Sequence, residues 1–346
     1  MKPFELQSFE QRVVFGEDHL STLLPLAQDF GMTRAMVLTT PGRTMGATAI
    51  AAALGERHFA TFTGAVVHTP VEVTDRALNV LGDANGFISL GGGSAVGLGK
   101  ALALRTGLPH IAIPTTYSGS EISPILGQTR DGKKTTIRDK RVVPQAVVYD
   151  VSLTLSLPLD LTVSSGFNAM AHAFEALYAP DRSPETDRFA VEAIAGFAQA
   201  LPILVDAPRD WDARAMVLYA AYLSGRVLAA RTMGLHHKLA HVLGGLYDLP
   251  HAPMHAALLP HVIRFNEAAA REQLRPAADA LGHESAAEGL EALALKLNAP
   301  RHLAALGMPL DGAGVAAELV MQNPALNPRA YGASDIEKLL AAALGS

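Results

Sequence analysis

The feature that most constrains the fold is a regular alternation of β-rich and helix-like segments in the first half of the chain. Short runs rich in β-branched and apolar residues are separated by segments with helical spacing, such as TMGATAIAAALG and SAVGLGKALALRTG. This alternation is typical of a parallel sheet with helices packed on its faces. The runs are AMVLTT (35–40), ATFTGAVV (60–67), GFISLGG (86–92), HIAIPTT (110–116) and QAVVYD (145–150). We therefore expect an open α/β domain.

The second half of the chain has a different pattern. From about residue 155 it is rich in Ala and Leu with helical periodicity, as in residues 185–204 and 212–230. A chain of 346 residues exceeds the size at which one hydrophobic core usually stops growing, which favours two domains over one. We predict an α/β domain at residues 1–155 and an all-helical domain at 156–346. No Ser-, Gly- or Pro-rich linker separates them, so we expect direct packing with ligands bound in a cleft between them.

Charge and composition exclude several function classes. The net charge is -5 and no run of Lys or Arg occurs, so the chain has no electrostatic footprint for nucleic acid or an anionic membrane, and a small-molecule partner is favoured. The absence of cysteine excludes disulfides and thiolate metal sites and fits a reducing compartment. The start, MKPFELQSFEQ, lacks the apolar core of a signal peptide, and we identify no apolar stretch of 18 residues. We expect a cytoplasmic protein.

A glycine-rich turn connects a predicted strand at residues 88–90 with a predicted helix at 95–104. Such a turn presents backbone amides and a positive helix end to a phosphate, and its glycines let a pyrophosphate approach without a Cβ clash. Its spacing differs from the Rossmann GxGxxG, and an ordinary turn is the alternative. The candidate phosphate-binding residues are Gly91, Gly92, Gly93 and Ser94, with Ser94 also placed to cap the helix.

A second candidate loop, PTTYSGSE (114–121), follows the next predicted strand and groups Thr and Ser hydroxyls around a glycine. Hydroxyl-rich loops at the carboxyl ends of parallel strands commonly line a cofactor cleft, although a solvated turn is an equally good interpretation. Thr115, Thr116 and Ser118 are the candidate cofactor-binding residues of this loop.

Histidines are concentrated in one stretch of the second half, where six of the thirteen fall between residues 236 and 261. His237 and His241 are four apart on a predicted helix and share a face, and His172 likewise follows Asn168 by four. Three histidines and an acidic residue would form a divalent-metal site, but the expected acid is missing. The six are His236, His237, His241, His251, His255 and His261.

The order of these motifs resembles the iron-containing alcohol dehydrogenases over nearly the whole chain. The resemblance rests on GGGS, PTTYSGSE, GFNAMAHAFEALY and HHKLAHVLGGLYDLPHAPMHAALLPHVIRFN. It implies an N-terminal nicotinamide dinucleotide-binding domain, a C-terminal helical catalytic domain and a homodimer. Metal-dependent members bind their cation at positions that correspond here to Asn168, His172, His237 and His251.

Asn168 stands where those relatives have an aspartate, and a neutral amide brings no charge against a divalent cation. Gly97 replaces an aspartate of GGGSxxD, and His255 lies within PHAPMH in place of the commoner PHGVAN. All three departures resemble the maleylacetate reductase branch of the family. The resemblance therefore implies an enzyme without a metal.

The choice of cofactor depends on the residues after the first predicted strand of the alternating pattern. NAD-selective relatives often carry an acid there, whereas this chain has Thr40 and Arg43, so we expect both NADH and NADPH to bind. An Arg43 side chain that points to solvent is the alternative. Lys140 is a further candidate cofactor-binding residue.

The implied reaction reduces the conjugated carbon-carbon double bond of maleylacetate to give 3-oxoadipate, in the degradation of aromatic compounds. Negative charge would develop on the ketone oxygen, to which His172, His237 or His251 could donate a hydrogen bond. His241 or His255 could deliver the proton. The sequence does not show which histidine has which role. The candidate substrate-binding residues are Asn168, Lys238 and Arg130, with solvated roles open for the last two.

Three other functions stay open at this point. A metal-dependent alcohol or glycerol dehydrogenase is disfavoured by Asn168. A lyase like dehydroquinate synthase would share the architecture and would not consume NADH in net terms. A catalytically silent NAD-binding protein would leave the histidine-rich stretch without a purpose.

Overall fold

The computed structural model describes residues 4–8, 11–130 and 133–345. The chain divides into two compact units, Met1–Leu157 and Pro158–Ser346. Within the described residues, the first unit combines a largely parallel sheet with helices and the second unit consists of helices. The predicted fold class is confirmed.

In the described part of the first unit, seven strands form one sheet in the order β1-β2-β9-β6-β5-β3-β4. β1 and β2 pair antiparallel, and the other neighbouring strands pair parallel. Two further strands, β7 and β8, form a separate antiparallel hairpin. The strands are β1 (Phe4–Ser8), β2 (Gln11–Gly16), β3 (Ala35–Thr39), β4 (His58–Phe62), β5 (Gly86–Gly91), β6 (His110–Pro114), β7 (Ile125–Arg130), β8 (Lys133–Arg138) and β9 (Ala146–Asp150).

The predicted strands agree with the sheet where the sequence is buried and apolar. β3, β5, β6 and β9 match their predicted runs to within two residues. The run at 60–67 is wrong beyond residue 62, because the chain leaves the sheet there and the Ala65 N–H donates to the Thr39 carbonyl oxygen. β1, β2 and the β7-β8 hairpin were not predicted.

Helices cover both faces of this sheet because successive strand residues point to opposite sides. Val37 of β3 packs with Leu26 and Ile50 in one apolar cluster, whereas Met36 packs with Leu98 in another. Helices α1 and α2 therefore cover one face, and α3 and α4 cover the other. Their bounds are α1 (His19–Asp29), α2 (Thr44–Leu54), α3 (Val71–Leu81) and α4 (Gly93–Thr106).

The second unit is built around α5, which is buried from residue 162 to 177 and packs against α6, α7 and α9. Any polar side chain in that stretch is inside the helical unit and needs a partner there. The helices are α5 (Leu159–Leu177), α6 (Pro184–Asp206), α7 (Trp211–Ala230), α8 (Leu235–Tyr247), α9 (His251–Glu267), α10 (Arg271–Leu281), α11 (Ala286–Lys296), α12 (Ala313–Gln322) and α13 (Ala333–Leu344).

Helix α6 is long and apolar enough to cross a membrane by length and composition, which the sequence analysis did not foresee. It packs against α5, α7 and α10 of its own unit. Ile194, Phe197 and Leu201 of α6 are fully buried. These contacts bury one face of α6 in its own unit, as in an amphipathic helix of a globular protein.

Candidate active site

In the first unit, the glycine turn and the hydroxyl-rich loop lie against each other. Gly91 ends β5 with φ +147°, a backbone conformation that favours glycine. Its carbonyl oxygen accepts the Thr115 N–H at 3.1 Å. A Cβ added at Gly92 would lie 2.7 Å from Thr116 Oγ1. Two of the predicted cofactor-binding segments are thus adjacent in space.

The helix after the turn begins without a side-chain cap. α4 starts at Gly93, and Gly92 occupies the N-cap position with no side-chain hydrogen bond. The predicted capping role of Ser94 is wrong, because Ser94 already lies inside the first helical turn. The first amides of a helix without such a cap, together with its dipole, favour an anionic ligand.

Thr40 and Arg43 follow β3, which pairs with β5 and lies at the same edge of the sheet as the two loops. Thr40 precedes the short 3-10 helix Pro41–Arg43, and burial lowers the pKa of the half-buried Arg43. Because β3, β5 and β6 are adjacent and parallel, their carboxyl ends share one edge, the edge at which open α/β sheets bind ligands. The structure brings these three predicted segments together.

A buried polar network, which the sequence analysis missed, supports the hydroxyl-rich loop. The Lys100 ammonium of α4 is fully buried and donates to the carbonyl oxygens of Ser120 at 2.7 Å and Ser123 at 2.8 Å. The Glu121 carboxylate accepts from Tyr149 Oη at 2.7 Å and from Ser118 Oγ at 3.2 Å. Ser118, a predicted cofactor ligand, therefore uses its hydroxyl to fasten the loop.

Burial controls the charges of this network. It lowers the pKa of Lys100 from 10.5 to about 7, against the opposing attraction of Glu121. It also raises the pKa of Glu121, although hydrogen bonds from Tyr149 and Ser118 and the charge of Lys100 act against this. The sequence signal that could have indicated this network is a single Lys in an otherwise apolar helix. The network was missed because the residues that Lys100 contacts lie about twenty positions later in the chain.

Two basic residues of the first unit that we predicted to bind substrate or cofactor lie in other segments of the chain. Arg130 ends β7 and pairs in register with Lys133 across the hairpin. Lys140 begins a 3-10 helix that ends at Val142. Both side chains are exposed. Their predicted roles in substrate and cofactor binding stay predictions.

In the second unit, three helices bring five imidazoles together. The ring centroids of His172 and His237 are 4.8 Å apart in a stacked arrangement, and those of His237 and His255 are 5.2 Å apart. His236 lies 4.9 Å and His251 lies 4.5 Å from His255. We call this group the imidazole cluster: His172 of α5, His236 and His237 of α8, and His251 and His255 of α9. Four of the five predicted catalytic histidines belong to it.

Glu175 of α5, which the sequence analysis did not single out, is the carboxylate next to this cluster. Its Oε2 accepts from His237 Nδ1 at 2.7 Å and from the Gly234 N–H at 2.8 Å, and its Oε1 accepts the His236 N–H at 2.7 Å. The spacing of residues on the helix could have indicated Glu175. Asn168, His172 and Glu175 are separated by four and three residues and therefore share one face of α5.

Three of the imidazoles are held in the neutral form. Burial, and then the neighbouring imidazoles, lower the pKa of His172, His236 and His255 well below the usual range. His236 Nε2 and His255 Nδ1 share a hydrogen bond of 2.8 Å. These side chains can donate or accept hydrogen bonds at neutral pH, but they do not carry charge.

Several buried polar atoms of the cluster have no hydrogen-bond partner in the described part of the chain. Buried polar groups in proteins are nearly always hydrogen-bonded, so an unpartnered group calls for an explanation. Within the described residues, the buried side-chain atoms of this cluster without a partner are His172 Nδ1, His236 Nδ1, His237 Nε2 and His255 Nε2. Asn168 Oδ1, one turn before His172 on α5, also has none. A polar substrate that both donates and accepts hydrogen bonds would satisfy them.

The remaining predicted residues of this unit are more exposed. His241 lies one turn after His237 on α8 with an exposed side chain, and Lys238 is half-buried beside His237 in the chain. His251 begins α9 and is exposed, although its ring contacts His255. His261 lies farther along α9, and burial lowers its pKa.

Family models match both units of the chain. A model for the C-terminal part of the Fe-containing alcohol dehydrogenase family matches residues 162–344, and a model of the iron-containing alcohol dehydrogenases matches residues 10–151. The chain belongs to the iron-containing alcohol dehydrogenase family. This confirms the resemblance inferred from the motifs and makes the chain an NAD(P)-dependent oxidoreductase of that family.

Individual relatives within the iron-containing alcohol dehydrogenase family match almost the full length. The maleylacetate reductase of Rhizobium sp. (strain MTP-10005) is 47% identical, with 98% of this chain and 97% of the relative covered. The maleylacetate reductase of Burkholderia cepacia is 46% identical with the same coverage. The crystal structure of maleylacetate reductase from Agrobacterium tumefaciens has 47% identity and a TM-score of 0.94, covering 99% of this chain and 98% of that one.

The name of the iron-containing alcohol dehydrogenase family implies an iron ion, which the side chains of the imidazole cluster fit poorly. The Asn168 amide offers a neutral oxygen, and the nearby carboxylate, Glu175, already accepts three hydrogen bonds. Among residues 4–8, 11–130 and 133–345, no group of three His, Asp or Glu side chains is arranged to hold a metal ion. A carboxylate at the position of Asn168 would bring negative charge to such a cation, which the amide does not.

Proposed function

We propose that this chain is a maleylacetate reductase, which uses NADH or NADPH to reduce the conjugated carbon-carbon double bond of maleylacetate and forms 3-oxoadipate. The observation that carries the proposal is the 46–47% identity with two curated maleylacetate reductases over 98% of the chain. A role in the degradation of aromatic compounds follows from that activity.

The reaction adds one hydride and one proton across the double bond. When bound, the reduced nicotinamide supplies the hydride to the carbon β to the substrate ketone. The double-bond electrons then move toward the ketone oxygen, which becomes an enolate, and the carbon α to the ketone takes up the proton. The protein must therefore provide a hydrogen-bond donor for the oxygen and a proton source for the carbon.

The imidazole cluster is suited to both tasks. A neutral imidazole carries one N–H and one lone pair, so a nitrogen of His172 or His255 that carries the hydrogen can donate it to the enolate oxygen. His237, whose Nδ1 faces Glu175, offers the lone pair of Nε2 as a proton acceptor in the transfer to the carbon. His251 is exposed and contacts the buried His255, and we assign to this pair the uptake of the proton from solvent. Asn168 and Lys238 are the proposed partners of the substrate carboxylates in this unit.

The first unit is the proposed cofactor-binding unit. Gly91, Gly92 and Gly93 are the proposed pyrophosphate-binding residues at the N-terminus of α4, beside Thr115 and Thr116. Open space lies at Gly93, whereas a Cβ at Gly91 or Gly92 would meet Ala95 or Thr116. Arg43 lies at the same sheet edge and offers a cation to the 2'-phosphate of NADPH, while NADH needs no such partner.

We further propose that the enzyme works without a metal, as a homodimer in the cytoplasm. The neutral amide of Asn168 and the hydrogen bonds that occupy Glu175 support the first point. The complete absence of cysteine is compatible with a reducing compartment.

The test is a spectrophotometric assay of NADH oxidation with maleylacetate, using enzyme dialysed against a strong chelator. We expect stoichiometric NADH consumption, unchanged activity after chelation and no stimulation by added zinc or iron. Loss of activity that metal restores would favour a metal-dependent dehydrogenase. Turnover without net consumption of NADH would favour a lyase.

A further inference from the structure

We propose that Glu175 is a positioning residue for this reaction: it fixes the proton of His237 on Nδ1 and the plane of its ring, so that Nε2 is the nitrogen that meets the substrate. The inference rests on the proposed function, because it assigns a support to one of the imidazoles proposed to take part in the reaction.

The carboxylate of Glu175 is built into the start of α8. Its side chain is fully buried, and the N–H groups of Gly234 and His236 donate to its two oxygens at 2.8 and 2.7 Å. Gly234 is the N-cap residue of α8 and cannot cap the helix with a side chain. Glu175 therefore caps α8 from another helix, at the end where the helix dipole is positive.

An ionised carboxylate can only accept hydrogen bonds, so its contact with His237 fixes where the proton lies. The 2.7 Å distance between His237 Nδ1 and Glu175 Oε2 requires the hydrogen on Nδ1. In the neutral ring the other nitrogen, Nε2, then carries only a lone pair. This Nε2 is buried and has no hydrogen-bond partner within the described residues.

The surrounding imidazoles are arranged differently. His236 and His255 hydrogen-bond to each other, and either nitrogen of that pair can be the donor. Their tautomers can exchange without a loss of contacts, whereas that of His237 cannot. A histidine held by a carboxylate in one tautomer presents a defined nitrogen to its ligand. Carboxylates orient functional histidines in this way in other protein sites.

The backbone at Gly234 preserves this contact. A Cβ added at Gly234 would lie 3.1 Å from Glu175 Oε1 and 3.0 Å from the Leu326 carbonyl oxygen. Both distances are tighter than ordinary contacts, so a larger residue would push the carboxylate away from the N–H groups of α8. Glycine at this position therefore allows the carboxylate to approach the helix end.

The first experiment measures the tautomer directly in the wild-type enzyme. Nitrogen-15 NMR of histidine-labelled protein, with the His237 signals assigned by their loss in His237→Gln, reports which ring nitrogen carries hydrogen. We expect a protonated Nδ1. A His237 ring with a bare Nδ1 overturns the proposal. Because this measurement uses no maleylacetate, it decides the role of Glu175 even if the proposed function fails.

The second experiment compares two acids that both cap a helix. Glu175→Gln keeps the side-chain size but removes the ionised acceptor, and Asp210→Asn does the same at the start of α7, where Asp210 accepts the Ala213 N–H at 2.8 Å. We expect Glu175→Gln to lower kcat about 10- to 100-fold, with NADH affinity unchanged, since orienting partners of functional histidines have effects of that size. Asp210→Asn should lose thermal stability but keep kcat.

The outcomes separate positioning from folding. A kcat of Glu175→Gln equal to wild type, or losses of kcat in both variants that track their melting temperatures, would overturn the proposal. If Glu175→Gln does not fold, Gly234→Ala takes its place, because it displaces the carboxylate without removing it. A wild-type enzyme that binds NADH but does not reduce maleylacetate would remove the proposed function and leave the NMR result to decide the role of Glu175.

Discussion

Replacement of Gly92 by alanine tests whether the glycine turn holds the cofactor or is only tightly packed. The backbone at Gly92 has φ -82°, which any residue can adopt, so alanine introduces no backbone strain. The new methyl carbon would lie 2.7 Å from Thr116 Oγ1 and 3.0 Å from its Cγ2. Thr116 must move, and overpacking of this kind costs about 1–3 kcal/mol. We expect the melting temperature to fall accordingly.

The cofactor should be affected for a separate reason. The methyl group would occupy space proposed for the pyrophosphate at the start of α4, so we expect NADH to bind at least about tenfold more weakly, or about 1.4 kcal/mol. Isothermal titration calorimetry measures this affinity. The control is Gly92→Ala combined with Thr116→Ala, which removes the atoms that the methyl would meet. Its NADH affinity is compared with that of Thr116→Ala alone, because Thr116 is itself a proposed cofactor-binding residue.

The double variant decides between the two explanations. We expect it to regain stability but not NADH affinity, because removing the Thr116 side chain makes room for the methyl but does not clear the phosphate position. Recovery of both properties would mean that Gly92 is needed only for packing against Thr116. The proposed pyrophosphate site would then be wrong.

Three further predictions use the same protein preparations. Arg43→Ala should raise the dissociation constant of NADPH more than that of NADH, since only NADPH carries the extra phosphate; equal changes would remove Arg43 from the site. Asn168→Asp should increase zinc affinity in calorimetric titration, because it adds an anion beside the imidazoles, and an unchanged isotherm would contradict this. Burial lowers the pKa of Lys100 from 10.5 to about 7, so the unfolded chain holds more protons between these pH values and the free energy of unfolding should rise with pH there. Lys100→Met should flatten that rise in urea titrations, and identical slopes would refute it.

Periodic features of the fold could be predicted, while pairings between distant segments could not. β3, β5, β6 and β9 are short apolar runs, and a run buried on both faces is visible in the sequence itself. β2 depends on its neighbour β9 for its place in the sheet, and the β7-β8 hairpin is polar and partly exposed. Neither has a local pattern that separates it from a loop.

The same limit applies to the candidate site. Spacing alone placed Asn168 and His172 on one helix face, and motif resemblance added His237 and His251. Glu175 was missed, although it follows on the same face, because a carboxylate looks like a metal ligand or a surface charge until its partners are known. Those partners, the amides at the start of α8, lie about sixty residues later in the chain.

The cap that Glu175 provides links the making of the site to the order in which the helices assemble. α8 begins with a glycine that cannot satisfy its own first amides, so this helix end is complete only once α5 has docked. During synthesis α5 emerges first, and its Glu175 carboxylate has neither His237 nor the start of α8 to meet until α8 follows. The docking that caps α8 is thus also the docking that orients His237, and a chain that has not docked these helices has neither.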